Sequence, residues 1–163
     1  QPCRRTLLGT ARLWITVFAA NMIGTFLAAL LIAYGGILSP EVTATTVELS
    51  HHVAAWSASD TFMKAIPAGF LIAAIVWMLP SSEGSEFWVI VLFTYIIALG
   101  DMAHVVVGSA ELFLLAVTGE ANIFKLVTIN LLPALLGNIL GGTGLFAMLA
   151  WGQVSQEMSE EKE

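Results

Sequence analysis

Charged residues are scarce in this sequence, and their scarcity argues against a water-soluble domain. Only 11% of the 163 residues are charged and 58% are hydrophobic, whereas soluble domains are about 25% charged and about 45–50% apolar. A soluble chain of this size could not bury so much apolar side chain. The six lysine and arginine residues form no basic cluster that would suit a nucleic acid, so nucleic acid is not an expected partner.

Cysteine is almost absent as well, which removes two further classes of structure. The single cysteine, Cys3, cannot form an intramolecular disulfide, and no CxxC or Cys/His spacing indicates a structural metal. His51 and His52 are adjacent, and adjacent side chains seldom converge on one ion, so we interpret them as part of a solvated loop. The sequence therefore predicts no metal and no cofactor.

Long uncharged runs dominate what is present, and they predict four membrane crossings. The run from Leu13 to Ile37 contains no charged residue, and at about 1.5 Å per residue it exceeds a hydrocarbon thickness of about 30 Å. The connection that follows has room for a short interfacial helix around 42–56. The predicted segments are a span at 13–37, an extramembrane loop at 38–61, a span at 62–79, a broken span at 87–118, a span at 126–151 and an acidic tail at 152–163.

The basic residues predict how the chain is oriented in the membrane. Of the six, Arg4, Arg5, Arg12 and Lys162 lie near the two ends of the chain, which four crossings place on one side. Lysine and arginine favour the cytoplasmic side, so we expect a cytoplasmic C-terminus. Because the chain begins with Gln1 and not with methionine, we also expect that residues precede it.

The segment from Phe87 to Thr118 is too long for one simple span and has polar residues in its middle. We predict a broken helix whose first half ends at Gly100, with an extended stretch at Val105–Val107 and a second half that restarts near Ser109. Backbone groups freed at membrane depth need protein or a water-filled cavity to bind them. The interrupting residues are Gly100, Asp101, His104, Gly108, Ser109 and Glu111.

His104 is the central candidate because it lies near the middle of this broken span. A neutral imidazole can donate a hydrogen bond to an anion and a protonated one can offset the anion's charge, since its ordinary pKa is near 6.5. The alternative is a structural histidine between helices. Asp101 and Glu111 flank His104, and each must face a cavity, find a partner or become protonated. Either carboxylate could tune His104 or pass a proton, or could form a structural hydrogen bond between protomers.

The first and last spans share a short sequence motif. Both contain Asn-x-x-Gly, at Asn21 and at Asn138, and each copy precedes a run of Leu, Phe and Ala. Two crossings lie between the copies, so the copies point in opposite directions, as an inverted repeat requires. The alternative is that small residues let membrane helices approach closely. The two asparagines could supply amide donors to an anion or to the ends of broken helices, or could serve helix packing alone.

These motifs resemble the formate/nitrite transporter family. The match is closest at Gly137-Asn138-Ile139-Leu140-Gly141-Gly142, which is similar to a signature in the family's sixth span, and the stretch from Gly100 to Gly108 takes the place of its broken fifth span. Ala103 replaces a glutamate, Gly108 replaces an asparagine, and one residue is added before His104. The pattern is most similar to the YfdC-type branch of the family.

The resemblance implies a membrane helix bundle of aquaporin-like formate/nitrite channel type, of which this chain would be spans three to six. The family has six spans in an inverted repeat and forms homo-pentamers with a pore in each protomer. We therefore expect an all-α protein of the bacterial inner membrane that passes a small monovalent anion, such as formate or nitrite, through the lipid bilayer and is not an enzyme. The expected pore residues are His104, Asn21, Asn138, Asp101, Glu111, Gly100, Gly108 and Ser109.

Two other functions stay open from the sequence alone. One is a membrane-embedded enzyme that uses His104, Asp101 and Glu111 as acid–base groups or ligands, although these residues lack a spacing such as HExxH and no nucleophile motif accompanies them. The other is a non-conducting structural or sensory subunit.

Overall fold

Helices account for nearly all of the chain that the structure describes. The structure is a computed structural model that describes residues 4–160, with side chains to residue 155, so Cys3 lies outside it. No strand occurs in this range. The helices are α1 (Arg4–Tyr34), α2 (Pro40–Ala54), α3 (Ala58–Met78), α4 (Glu86–Leu99), α5 (Val105–Val117), α6 (Ile123–Leu126), α7 (Leu132–Ile139) and α8 (Ala147–Glu160).

Among the residues that the structure describes, three helical stretches are long and apolar enough to cross a membrane: Arg4–Tyr34, Ala58–Ser81 and Ile123–Ser155. The 14 residues of α4 and the 13 of α5 reach only about 20 Å each at about 1.5 Å per residue. Neither of these two helices alone crosses about 30 Å of hydrocarbon, as expected for the halves of one interrupted span. Many large apolar side chains of α1 and α4 are exposed, which suits contact with lipid or with another apolar surface.

The helix ends differ from the predicted span ends. The first helix begins at Arg4, ahead of the span predicted at 13–37, and the last helix begins at Ile123 and continues to Glu160. The predicted loop at 38–61 contains α2, close to the short helix that we expected there. Helix ends do not locate a membrane surface, so the span boundaries stay predictions.

The described chain divides into two compact units. One comprises the residues up to Ala54 together with Val106–Ile123, and the other comprises Ala55–Val105 together with the chain from Phe124 onward. In the first unit, side chains join α1 to α5 and α2 to the loop after α5. These contacts are Phe26 with Phe113 at 5.6 Å between ring centroids, Ser109 Oγ with Thr25 Oγ1 at 2.9 Å, the Tyr34 hydroxyl with the Val117 carbonyl, and His51 Nε2 with Glu120 Oε2 at 2.5 Å.

In the second unit, α3 packs against α7 and the segment after it through small residues. A Cβ atom built on Gly137 would lie 2.5 Å from the Phe62 carbonyl oxygen, and one on Gly69 would lie 2.6 Å from Asn138 Cα. One on Gly141 would overlap the Ile66 carbonyl oxygen. Such contacts leave room only for glycine, as in small-xxx-small packing of membrane helices.

Two π-helical segments interrupt the last helix, and the sequence analysis did not anticipate them. They are Val127–Leu131 and Leu140–Phe146, and the helical segments on either side follow without a loop. The first directly precedes the turn with Pro133, where a missing backbone N–H favours altered bonding. The second ends at Phe146, whose ring meets Phe70 at 5.3 Å and Trp77 at 6.3 Å between centroids.

Candidate functional site at the helix break

Helix α4 ends in a Schellman turn whose left-handed position is occupied by Asp101. The Asp101 N–H donates to the Ala98 carbonyl at 3.1 Å and the Met102 N–H donates to the Ile97 carbonyl at 3.1 Å. Asp101 has a φ of 50°, where glycine is the usual residue and aspartate is among the better tolerated alternatives. The turn satisfies carbonyl groups that the end of α4 would otherwise leave without partners inside a membrane.

The break is shorter than the sequence predicted. Helix α4 ends at Leu99 and helix α5 already begins at Val105. The predicted break is therefore confirmed, but the predictions of an extended run at Val105–Val107 and of a restart near Ser109 were wrong. Gly108 and Ser109 therefore lie within α5, and only residues 100–104 are non-helical. A valine costs a helix only a few tenths of a kcal/mol, and an external cap at Val105 offsets that cost.

Asn138 provides that cap and holds the break from the neighbouring helix. Its Oδ1 accepts the Val105 N–H at 2.9 Å, and its Nδ2 donates to the carbonyl groups of Ala65 at 2.8 Å and Ala103 at 2.9 Å. These partners fix the orientation of the amide, because an N–H can only donate and a carbonyl can only accept. Of the roles considered for Asn138, the structure shows it binding the end of a broken helix, with both amide hydrogens engaged.

Lys64 of α3 contacts the other end of the break. Its Nζ lies 2.6 Å from Asp101 Oδ2 and 3.1 Å from the Asp101 carbonyl oxygen, and 4.5 Å from the centroid of the Trp56 ring. The Lys64 carbonyl accepts the Ala103 N–H at 3.2 Å. The Asp101 carboxylate thus has the partner that its position requires, and the Lys64 ammonium is directed to the break.

His104 is the last residue of the break and lies between Ala103 and Val105, both of which Asn138 binds. Its Nδ1 is buried and has no hydrogen-bond partner, and it is the one such side-chain nitrogen or oxygen among residues 4–155. A buried polar atom without a partner costs about 1–3 kcal/mol, and native structures contain few of them. Nδ1 of His104 therefore has hydrogen-bonding capacity that the described residues do not use.

Four of the eight expected pore residues lie in the first unit. There Asn21 Nδ2 donates to the Val17 carbonyl of its own helix at 2.9 Å, and Ser109 is completely buried against Thr25. A Cβ atom added at Gly108 would have no other atom within 4 Å. Glu111 is partly buried and interacts with another group of the chain. The other four, Gly100, Asp101, His104 and Asn138, belong to the second unit and lie at or beside the break. A single pore lined by all eight residues stays a prediction.

The part of the chain that the structure describes brings no three His, Cys, Asp or Glu side chains together in a way that could hold a metal ion.

The sequence analysis missed the contribution of Lys64 and Trp56 to the break. The available signal was charge, since Lys64 is the one cation inside the second predicted span and Asp101 is a carboxylate inside the third.

Long apolar helices, together with the non-helical break between α4 and α5, are typical of an all-α membrane helix bundle. The chain belongs to the formate/nitrite transporter family, whose model matches residues 3–152. This finding confirms the resemblance that the motifs indicated. The family is one of transporters, not of enzymes.

Two curated proteins illustrate the similarity. The chain is 38% identical to the inner membrane protein YfdC of Escherichia coli strain K12 over 151 residues, which are 93% of this chain and 49% of that protein. It is 25% identical to the uncharacterized transporter YwcJ of Bacillus subtilis strain 168 over 148 residues, which are 87% of this chain and 56% of that protein. The chain thus spans about half the length of these relatives. No solved structure matches it significantly.

Proposed function

We propose that the protein to which this chain belongs carries a small monovalent anion, such as formate or nitrite, across the bacterial inner membrane. Membership of the formate/nitrite transporter family supports transport of this chemical class. The name of the related inner membrane protein from Escherichia coli supports the location. By family resemblance the protein is a homo-pentamer with a pore in each protomer, and the distribution of its basic residues favours a cytoplasmic C-terminus.

The observation that carries the proposal is the buried Nδ1 of His104. It lies in a non-helical segment between two half-helices and lacks a hydrogen-bond partner. Breaks of this kind, placed at substrate sites near the midplane, are typical of transporters. A solute that bound Nδ1 would remove the cost of leaving this nitrogen without a partner.

The proposed role of His104 is to manage the charge of the solute. An anion that enters an apolar passage loses hydration worth several kcal/mol. A neutral imidazole whose Nδ1 carries hydrogen can donate to the anion, and the other tautomer can accept a hydrogen bond from the neutral acid. Sharing a proton between imidazole and solute would let the solute cross this section without net charge, which links transport to the proton.

Flux measurements with the full-length protein in liposomes test this function. The assay follows entry of formate and of nitrite over pH about 5.5–7.5, which brackets the ordinary pKa of histidine near 6.5. The parent should transport at least one of the two anions. His104→Phe should remove at least about nine-tenths of the flux, because phenylalanine fills the space without offering a hydrogen bond. His104→Asn should retain part of the flux and lose much of its pH dependence, because asparagine can form hydrogen bonds to the solute but does not titrate.

His52→Phe is the matched control, since it makes the same histidine-to-phenylalanine change at an exposed position of α2. It should transport as the parent does. A parent that passes no small anion would contradict the proposed function and leave a non-conducting subunit as the better account. If His104→Phe transports like the parent at every pH, His104 is structural.

A further inference from the structure

The ammonium group of Lys64 is occupied by groups of this chain. It contacts Asp101 at both a carboxylate oxygen and the carbonyl oxygen, at 2.6 Å and 3.1 Å, and lies above the Trp56 ring. The three N–H donors of an ammonium group thus have an anion, a carbonyl dipole and an aromatic face close by. The Asp101 carboxylate cancels the charge that an external anion would otherwise meet at this end of the break.

The backbone holds the Asp101 carboxylate in this position. Asp101 takes the left-handed conformation that ends α4, at a position where glycine is more usual. The same turn places its carbonyl oxygen on the same ammonium group. Because both groups belong to one chain, the carboxylate competes with free anions as a tethered ligand, for which effective concentrations are in the millimolar range or above.

We infer that Asp101 is a specificity-determining residue, an internal carboxylate that masks Lys64 from external anions. The part of the inference that concerns transport rests on the function proposed above. With Lys64 masked, the approach to His104 offers an anion little Coulomb attraction, so the neutral acid is favoured over the free anion. Removal of the Asp101 charge exposes Lys64 and converts this end of the break into an anion-binding position.

Asp101→Asn is the informative change, because asparagine is nearly isosteric and also tolerates left-handed backbone. Asp101→Gly provides a second variant that suits the backbone even better. Glu83→Gln is the control, since it removes one negative charge from the exposed turn before α4. The double variant Asp101→Asn with Lys64→Gln removes the ammonium group as well.

The first measurement is thermal unfolding of the full-length protein in detergent, in sodium formate and in sodium gluconate at equal ionic strength. A ligand that binds only the folded protein raises its unfolding temperature. We expect formate to stabilise Asp101→Asn and Asp101→Gly with an apparent affinity about three- to tenfold higher than that of the parent, as a newly exposed unit charge in partly hydrated surroundings allows. The control and the double variant should respond as the parent does.

This binding measurement decides the inference even if the parent transports nothing, so its failure and that of the proposed function can be distinguished. The inference is overturned if both Asp101 variants respond to formate like the parent, or if the double variant keeps the enhanced response. In a transporting protein, formate flux at pH about 7.5, where few neutral acid molecules exist, gives the second readout. Asp101→Asn should then pass formate at a half-saturating concentration about threefold or more below that of the parent. An unchanged half-saturating concentration would show that Asp101 does not set specificity.

Discussion

Asn138 in the last helix and Asn21 in α1 occupy the same position in an Asn-x-x-Gly pattern, but their side chains bind different kinds of partner. Asn138 makes three hydrogen bonds to backbone groups, one each at Ala65 of α3, at Ala103 of the break and at Val105, the first residue of α5. Asn21 donates to the Val17 carbonyl, one turn earlier in its own helix. Sequence alone assigned the two residues the same candidate roles.

The glycines of the two copies also differ in how closely a neighbouring segment packs against them. A Cβ atom on Gly141 would overlap the Ile66 carbonyl oxygen, whereas one on Gly24 would meet nothing within 4 Å. The pattern makes close packing and amide bonding possible, and the neighbouring segment determines whether they occur. The two copies lie in different units, so their relation by an inverted repeat, with equivalent depths for both asparagines, stays a prediction.

The largest expected difference in stability is between alanine substitutions at the two glycines of the motif. Gly141→Ala should destabilise the full-length protein by about 2–3 kcal/mol, because the added methyl group separates two backbones in contact. Gly24→Ala should change stability by less than about 1 kcal/mol, since alanine is the better helix former and the space is open. Thermal or denaturant unfolding in detergent compares them. Equal losses for the two variants would refute the contrast drawn between the two copies.

The asparagines should give the next largest difference. Asn138→Ala leaves the Val105 N–H and the Ala103 carbonyl without their partner, and three hydrogen bonds in a membrane protein contribute about 2 kcal/mol together. Asn21→Ala removes one local bond and should cost less than about 1 kcal/mol. Hydrogen exchange gives a local readout, in which the Val105 amide should lose protection in Asn138→Ala but not in Asn21→Ala. Unchanged protection at Val105 in both variants would mean that Asn138 does not hold the break.

The smallest expected effect concerns Lys64, which binds the opposite end of the break from Asn138. The Lys64 and Asp101 side chains are 32% and 47% exposed, and solvent weakens such pairs to about 0.2–1 kcal/mol. A double-mutant cycle with Lys64→Gln and Asp101→Asn should therefore give a coupling energy in that range from unfolding data. A coupling energy above about 2 kcal/mol would show that the ion pair, and not Asn138, is the main support of the break.

The sequence was sufficient to predict most helices and the presence of the break. Long uncharged runs require helices, because lipid offers no partner for backbone groups, and Gly100 together with the polar residues after it marked the end of α4. The extent of the break was wrong because the start of α5 depends on a cap from Asn138, 33 residues further along the chain. Local propensity at Val105–Val107 carries no information about that cap.

The candidate site was predictable only in part. His104 was proposed from its position near the middle of the predicted broken span and from the glycines four residues before and after it, both of which are local features. The contact of Lys64 with Asp101 joins residues 37 positions apart, and no periodicity indicates it. In the π-helical segment Leu140–Phe146, α3 packs against Gly141 and Gly142, a tertiary contact that the local sequence does not indicate.

Direct detection of a solute at His104 tests the central claim best. Solid-state NMR of the full-length protein in lipid, with ¹⁵N-labelled histidine and ¹³C-labelled formate or nitrogen-labelled nitrite, measures dipolar coupling between Nδ1 and the bound anion. His104→Asn identifies the His104 signal by its loss, and His52→Phe should leave that signal unchanged. The account predicts a coupling between His104 Nδ1 and a transported anion. A protein that transports the labelled anion but shows no such coupling, even when saturated, would contradict the account.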